Sequence, residues 1–261
     1  MRSTYTVAAI SVVAVFSFFA LVGPLAQDPD YFEFADPRAL WGVPNAGNVL
    51  SNLAFVAVGL LGLVRSVAWT PNSLGDDDLP GADPQLRWAY RLFFLGIFLT
   101  GFGSAYFHWQ PNNWTLLADR LPMAVAFMAL ASALIGESTK PALGRRLLWP
   151  LIALGLASVG YWYTTEAAGD GDLRPYVLVQ FLPMLILPAM LWRLGSRLQP
   201  TSYAWGTIAF YVLAKAAEVL DEQIFTATGT ISGHALKHLL AALGCGIFLR
   251  GMRCRKLAGA A

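Results

Sequence analysis

The sequence predicts an all-α fold, a polytopic membrane helix bundle. Of 261 residues, 56% are hydrophobic and 13% are charged, about half the charged share of an average soluble domain. Eight stretches are apolar over the length a membrane helix needs, roughly 20 residues for one hydrocarbon core. The connections between them are short, polar and marked by Pro, Gly or Asn. The same composition excludes a disordered chain, which requires low hydrophobicity. A net charge of +2 excludes a nucleic-acid partner. Two cysteines, Cys245 and Cys254, are too few for a disulfide scaffold. The short alternating segments of a membrane β-barrel are absent.

Each stretch is read as a helix, because a segment alone in lipid must satisfy its own backbone polar groups. The first, about 5–23, follows Arg2 and ends at Gly23-Pro24. With Pro24-Leu25-Ala26-Gln27 it also reads as a secretory signal peptide. Proline three residues before that cut makes a weak cleavage site, so residues 1–27 are expected to remain as a helix or uncleaved signal-anchor. A polar stretch from Asp30 to Arg38 then leads through Gly42-Val43-Pro44-Asn45 into the second span, about 47–68. Asn48, Ser51 and Asn52 open that span and are expected to bond helix to helix. The third, about 87–108, ends in Gly101-Phe102-Gly103-Ser104-Ala105-Tyr106-Phe107-His108. Pro111-Asn112-Asn113 turns the chain into the fourth, about 118–136. The fifth, about 146–165, and the sixth, about 174–194, are separated by a loop from Gly169 to Asp172. Gln199-Pro200 precedes the seventh, about 203–221, which carries Lys215, Glu218 and Asp221. The eighth, about 232–250, leaves residues 252–261 as a tail.

Lys and Arg set orientation. Placing the N-terminus in the cytoplasm collects Arg2, Arg65, Arg87, Arg91, Lys140, Arg145, Arg146, Arg193, Arg197 and the basic run from Arg250 to Lys256 on that side. Only Arg38, Arg120 and Arg174 fall on the other. Both termini are therefore expected in the cytoplasm. Cys245 and Cys254 lie at or near the reducing side and are expected as free thiols.

The chain holds three histidines, His108, His234 and His238. In Gly233-His234-Ala235-Leu236-Lys237-His238 two of them are spaced i, i+4, which sets both imidazoles on one helix face about 6 Å apart along the axis. His108 ends a span running outward and the pair begins a span running back, so all three share the outer layer of the bilayer. Three histidines with an open fourth position are the ligand set of a catalytic zinc site. A histidine pair also serves haem, copper or iron. No Met or Cys lies at that depth to favour soft-metal chemistry, so zinc is preferred.

Ser104 sits one turn before His108 on the same face, where it can donate to an oxyanion. Gly101 and Gly103 permit close helix approach. Asp119 opens the fourth span after a short loop and must lie near His108. It is read as a general base for water at the metal, against the simpler role of a charge favoured at a helix N-terminus. Arg120 either pairs with it or faces the headgroups. Lys215 and Glu218 are expected as an internal ion pair. Asp221 is a candidate to orient a histidine ring. Asp30 and Glu33 are candidate calcium ligands, against ordinary solvated acids. Trp109 and Trp114 are expected at the membrane interface.

Gly-Phe-Gly-Ser-Ala-Tyr-Phe-His, Asp-Arg-Leu-Pro-Met and Ser-Gly-His-Ala-Leu-Lys-His, taken in that order, resemble the alkaline ceramidases. More widely they are similar to the CREST superfamily of membrane hydrolases. Phe34-Ala35-Asp36, Gly42-Val43-Pro44-Asn45 and Val49-Leu50-Ser51-Asn52 are similar to the bacterial branch. The resemblance covers roughly residues 28–251 and implies a seven-helix core, with the first span as one extra N-terminal helix and a bacterial inner membrane as the setting. It implies zinc on His108, His234 and His238, with Ser104 at the oxyanion and Asp119 in proton transfer. Calcium in some members is held by acids in an Asp-x-x-Glu pattern, matched here by Asp30 and Glu33. Another family glutamate is replaced by Asn45.

The implied activity is hydrolysis of the amide of ceramide, or of a related N-acyl lipid drawn sideways from the bilayer, to a fatty acid and a free amine. Two other readings share the sequence. One is a receptor-like member of the superfamily with a structural zinc. The other is an ion transporter lined by Lys215, Glu218 and Asp221, which would favour inverted repeats or broken helices in matching halves; neither is visible in the sequence.

Overall fold

A computed structural model describes residues 2–69 and 79–258, with side chains from residue 12 onward. The connection after the second span, around Pro71-Asn72, and residues 259–261 of the tail lie outside the described residues. The described chain is a helix bundle: α1 (Arg2–Leu21), α2 (Ala46–Ser51), α3 (Leu53–Ala68), α4 (Arg87–Trp109), α5 (Asn113–Ser138), α6 (Pro141–Ala168), α7 (Arg174–Leu194), α8 (Ser202–Val219), α9 (Asp221–Thr228) and α10 (Gly233–Cys254). Its one sheet among the described residues pairs β1 (Leu198–Gln199) antiparallel with β2 (Lys256–Leu257). Among the described residues, six segments are long and apolar enough to cross a membrane: α2 with α3, then α4, α5, α6, α7 and α10. The protein is an all-α multi-pass membrane bundle. The other two expected spans are present as helices α1 and α8. α8, which carries Lys215 and Glu218, falls short on that measure, and of α1 the side chains are described only from Val12 to Leu21.

Packing follows chain order around much of the bundle. α4 lies between α3 and α5, α6 packs on α5, and α10 pairs chiefly with α8 and also touches α2 and α3. α1 packs against α7. α7 and α8 touch only sparsely, which leaves a seam in the wall.

Three of the differences from the sequence expectation have a clear local reason. The second span breaks at Asn52. In a regular helix the Asn48 carbonyl would accept the Asn52 amide. Here it is taken by the side chains of Ser51, at 3.0 Å, and Asn52, at 2.8 Å. The Asn52 amide bonds one residue nearer, to the Val49 carbonyl. Side chains of this kind compete with the helix backbone. The fourth span begins earlier than expected, at Asn113, because Asn112 and Thr115 form a reciprocal capping box that satisfies free amides of the first turn. The expected loop after residue 221 is instead α9. Asp221 and Glu222 stand in its first turn, where acids favour the dipole, and Gly229 stops it at φ 62°, a left-handed conformation suited to glycine.

Two glycines set how close α4 comes to its neighbours. A Cβ on Gly101 would lie 2.5 Å from Val56 Cγ2 on α3. One on Gly103 would lie 2.3 Å from the carbonyl oxygen of Ala118 on α5. That carbonyl lacks its usual partner, since Pro122, four residues on, has no N–H. The close approach of α4 covers it and draws the start of α5 against the end of α4.

Candidate active site

The last turn of α4 and the first turns of α10 bring the three histidines together. Ring centroids are 4.7 Å apart for His108 and His234, 5.1 Å for His108 and His238, and 5.0 Å for His234 and His238. All three are buried, and one ring nitrogen from each lies within 4.8 Å of the others. Among the described residues this is the only group of three or more histidine, cysteine or acidic side chains so gathered. His108 Nδ1 is buried with no hydrogen-bond partner. An orphaned imidazole nitrogen facing two further imidazoles fits the donor chemistry of a zinc-type ion.

The surrounding contacts orient these rings. His238 Nδ1 lies 2.8 Å from Ser51 Oγ. That hydroxyl already gives its proton to the Asn48 carbonyl, so it accepts from Nδ1–H. This tautomer leaves His238 Nε2 as the free lone pair. Asn45 donates through Nδ2 to the His108 carbonyl at 2.8 Å, fastening the end of α4 to the N-terminal segment. Phe34 lies edge-on to His108 at 4.7 Å and to His234 at 5.7 Å. Lys237 Nζ sits 2.8 Å from His234 Nε2 and 2.8 Å from Glu218 Oε1. Lys215 pairs with the same glutamate, so the expected ion pair is a three-membered cluster.

Asp221 does not orient a ring. Its Oδ1 accepts the backbone N–H of His234 at 2.7 Å, and Gly233 packs so tightly against Ala217 and Asp221 that a Cβ would not fit. The open amide at the start of α10 takes the carboxylate. Asp30 and Glu33 are exposed, and no third acidic group joins them among the described residues.

Ser104 and Asp119 are both buried and lie side by side across the α4–α5 contact. Asp119 Oδ1 has no hydrogen-bond partner. Arg120 forms no ion pair with Asp119 and does not reach outward. It lies inside, its guanidinium 4.1 Å from the Trp162 ring centre and 4.9 Å from that of Tyr176. These groups open on a cavity of about 260 Å³. Its polar end holds Ser104, Asp119, Arg120, Lys237 and His238, and its walls are apolar residues such as Phe127, Leu134 and Leu187. Asp119 and Leu134 both line it and are about 22 Å apart along α5 by helical rise. Tyr31 from the N-terminal segment also lines it, and burial raises the pKa of its hydroxyl, which stays protonated. Trp109 and Trp114 are exposed on the outside of the bundle at the same end.

Nothing in the sequence pointed to Ser51 as a partner of a histidine, to Gln27 beside Arg120, or to Lys237 against His234. The polar cluster Asn48, Ser51 and Asn52 at the head of an apolar span was the only available signal.

A family model described as Ceramidase matches residues 43–258. The chain belongs to the ceramidase family. No curated protein matches it. The matched residues of this ceramidase-family chain include the three histidines, Ser104 and Asp119, and run from the loop before α2 through β2. α1 and the segment bearing Tyr31 and Phe34 precede the match. Membership implies an amide hydrolase acting in the membrane.

Proposed function

We propose that this protein is a zinc-dependent intramembrane hydrolase that cleaves the amide of ceramide or a related N-acyl lipid, releasing a fatty acid and a free amine. The observation that carries the reading is the meeting of three buried imidazoles, one of which, His238, lines the same deep apolar cavity as Ser104 and Asp119. His108, His234 and His238 would hold the ion. A bound zinc supplies Lewis acidity toward a carbonyl oxygen and lowers the pKa of water.

The chain's own groups supply the rest. The apolar walls take the acyl chain and exclude bulk water. Ser104 donates its hydroxyl proton as a hydrogen bond to the carbonyl oxygen as negative charge grows there. Asp119 accepts a proton from the attacking water at its carboxylate, the new C–O bond forms, and the C–N bond breaks. The same carboxyl returns its proton to the leaving nitrogen. The sparse α7–α8 contact gives a lipid a sideways route from the bilayer. Residues 28–251 form the catalytic bundle, residues 1–27 an added membrane helix and residues 252–261 the cytoplasmic end of the chain, of which Met252 and Arg255 pack into the bundle. The active site lies near the outer face of a bacterial inner membrane.

Metal content of the purified protein and product release from N-acyl lipids, read by mass spectrometry, test this. The expected result is one zinc per chain and fatty-acid release. Ser104→Ala and Asp119→Asn are expected to lower kcat about 100- to 10,000-fold while keeping the metal. Zinc-loaded protein that binds lipid without releasing product would instead mark a receptor.

A further inference from the structure

Arg120 is an anomaly the proposed hydrolysis does not use. It is 6% exposed and lines the cavity beside Asp119. Among the described residues no carboxylate forms an ion pair with it. Its Nη2 donates to Gln27 Oε1 at 2.7 Å. Its Nη1 is buried with no partner. Trp162 and Tyr176 cover the guanidinium, and Tyr31 approaches at 5.7 Å. Rings of this kind stabilise a cation through its faces but leave its N–H edge unsatisfied. A buried guanidinium with an unused donor is costly unless something completes it. Its planar fork suits a carboxylate or a phosphate.

The rest of the polar end points the same way. Glu218 is engaged by both Lys215 and Lys237. Arg120 and the two lysines outnumber Asp119 and Glu218 around the cavity, so its polar end is electropositive. A neutral amide lipid offers hydroxyls there and no charge.

We propose that Arg120 reads the head of the substrate, binding an acidic group, carboxylate or phosphate, carried on the amine half of an N-acyl lipid. This deepens the hydrolase reading and rests on it. The acyl half occupies the apolar walls, the amide lies at Ser104 and Asp119, and the acidic group on the nitrogen side meets the free edge of Arg120. Gln27 holds the guanidinium in place from its other side.

The test uses the full zinc-loaded chain and three lipids with one acyl chain: neutral ceramide, ceramide 1-phosphate and an N-acylglycine. At least one acidic lipid is expected to exceed ceramide in kcat/KM by about tenfold or more, as a charge-assisted contact allows. The phosphate and carboxylate arms tell which acid fits. Arg120→Gln is expected to bring that ratio close to unity, and Arg120→Lys to restore part of it. Gln27→Glu sets a competing carboxylate on the guanidinium and is expected to lower the same ratio. Ceramide preferred by the unaltered protein, or Arg120→Gln slowing all three lipids by one factor, would overturn the proposal. Should no lipid be cleaved, the hydrolase reading fails by itself. Quenching of tryptophan fluorescence on lipid binding then decides the role of Arg120, which requires acidic lipids to bind about tenfold tighter than ceramide and to lose that margin in Arg120→Gln.

Discussion

Ser51 gives its single proton to the Asn48 carbonyl, and that fixes how His238 presents itself. An outer partner of this kind typically changes metal affinity about 10- to 100-fold. Ser51→Ala is therefore expected to weaken zinc retention in that range in a chelator competition, while His238→Ala and His108→Ala abolish it. The histidines themselves were legible in the sequence: only three exist, two share a helix face, and chain direction sets all three at one depth. Ser104 beside Asp119 was legible for a similar reason, since a short turn joins their helices. The Ser51 contact was not, because it joins residues 187 positions apart through a hydroxyl that sequence shows only as polar. Asp221 was misjudged for a physical reason. Its distance along the chain suited a histidine ring, but the backbone amide of His234 lay nearer and unsatisfied.

At the level of elements, the N-terminal segment behaves as a clasp over the histidine end. Asp36 is buried and pairs with Arg38 through Nε and Nη2, and Arg38 Nη1 and Nη2 also reach the carbonyls of Gly229 and Thr230 just beyond α9. The bond to Arg38 holds the Asp36 carboxyl below its ordinary pKa of 3.8. At the opposite edge, Arg174 does the same for Asp172 and bonds the Val22 carbonyl beyond α1. A carboxylate with a lowered folded pKa contributes stability that is full above its unfolded value and fades as pH drops through the folded one. The melting temperature in detergent is expected to hold from pH 7 to about 5 and to fall below about pH 4. Asp36→Asn is expected to lower it at pH 7 and to flatten that acid dependence. The long helices were readable from hydropathy alone. The break at Asn52 and the helix α9 were not, because each depends on side-chain bonds and caps within a few residues that apolar counting ignores.

At the level of the whole molecule, the cavity and its seam make acyl length a readable variable. Ala241 on α10 lines the cavity, and Ala241→Trp is expected to suppress cleavage of long-chain substrates far more than short-chain ones, measured as kcat/KM across a chain-length series. The end of the bundle away from the histidines is closed differently. Arg255 and Glu137 are buried together at 2.6 Å, Tyr90 donates to the same carboxylate at 2.8 Å, and Arg255 also reaches the Gly81 carbonyl. Removing one member of such a pair strands the other and costs about 3–5 kcal/mol. Arg255→Ala is expected to lower thermal stability by that amount, and Arg255→Met with Glu137→Leu to recover most of it. The two residues are 118 positions apart. A nascent chain leaving the ribosome therefore holds Glu137 with only the Tyr90 hydroxyl as partner until Arg255 is made, so this end of the bundle is completed last.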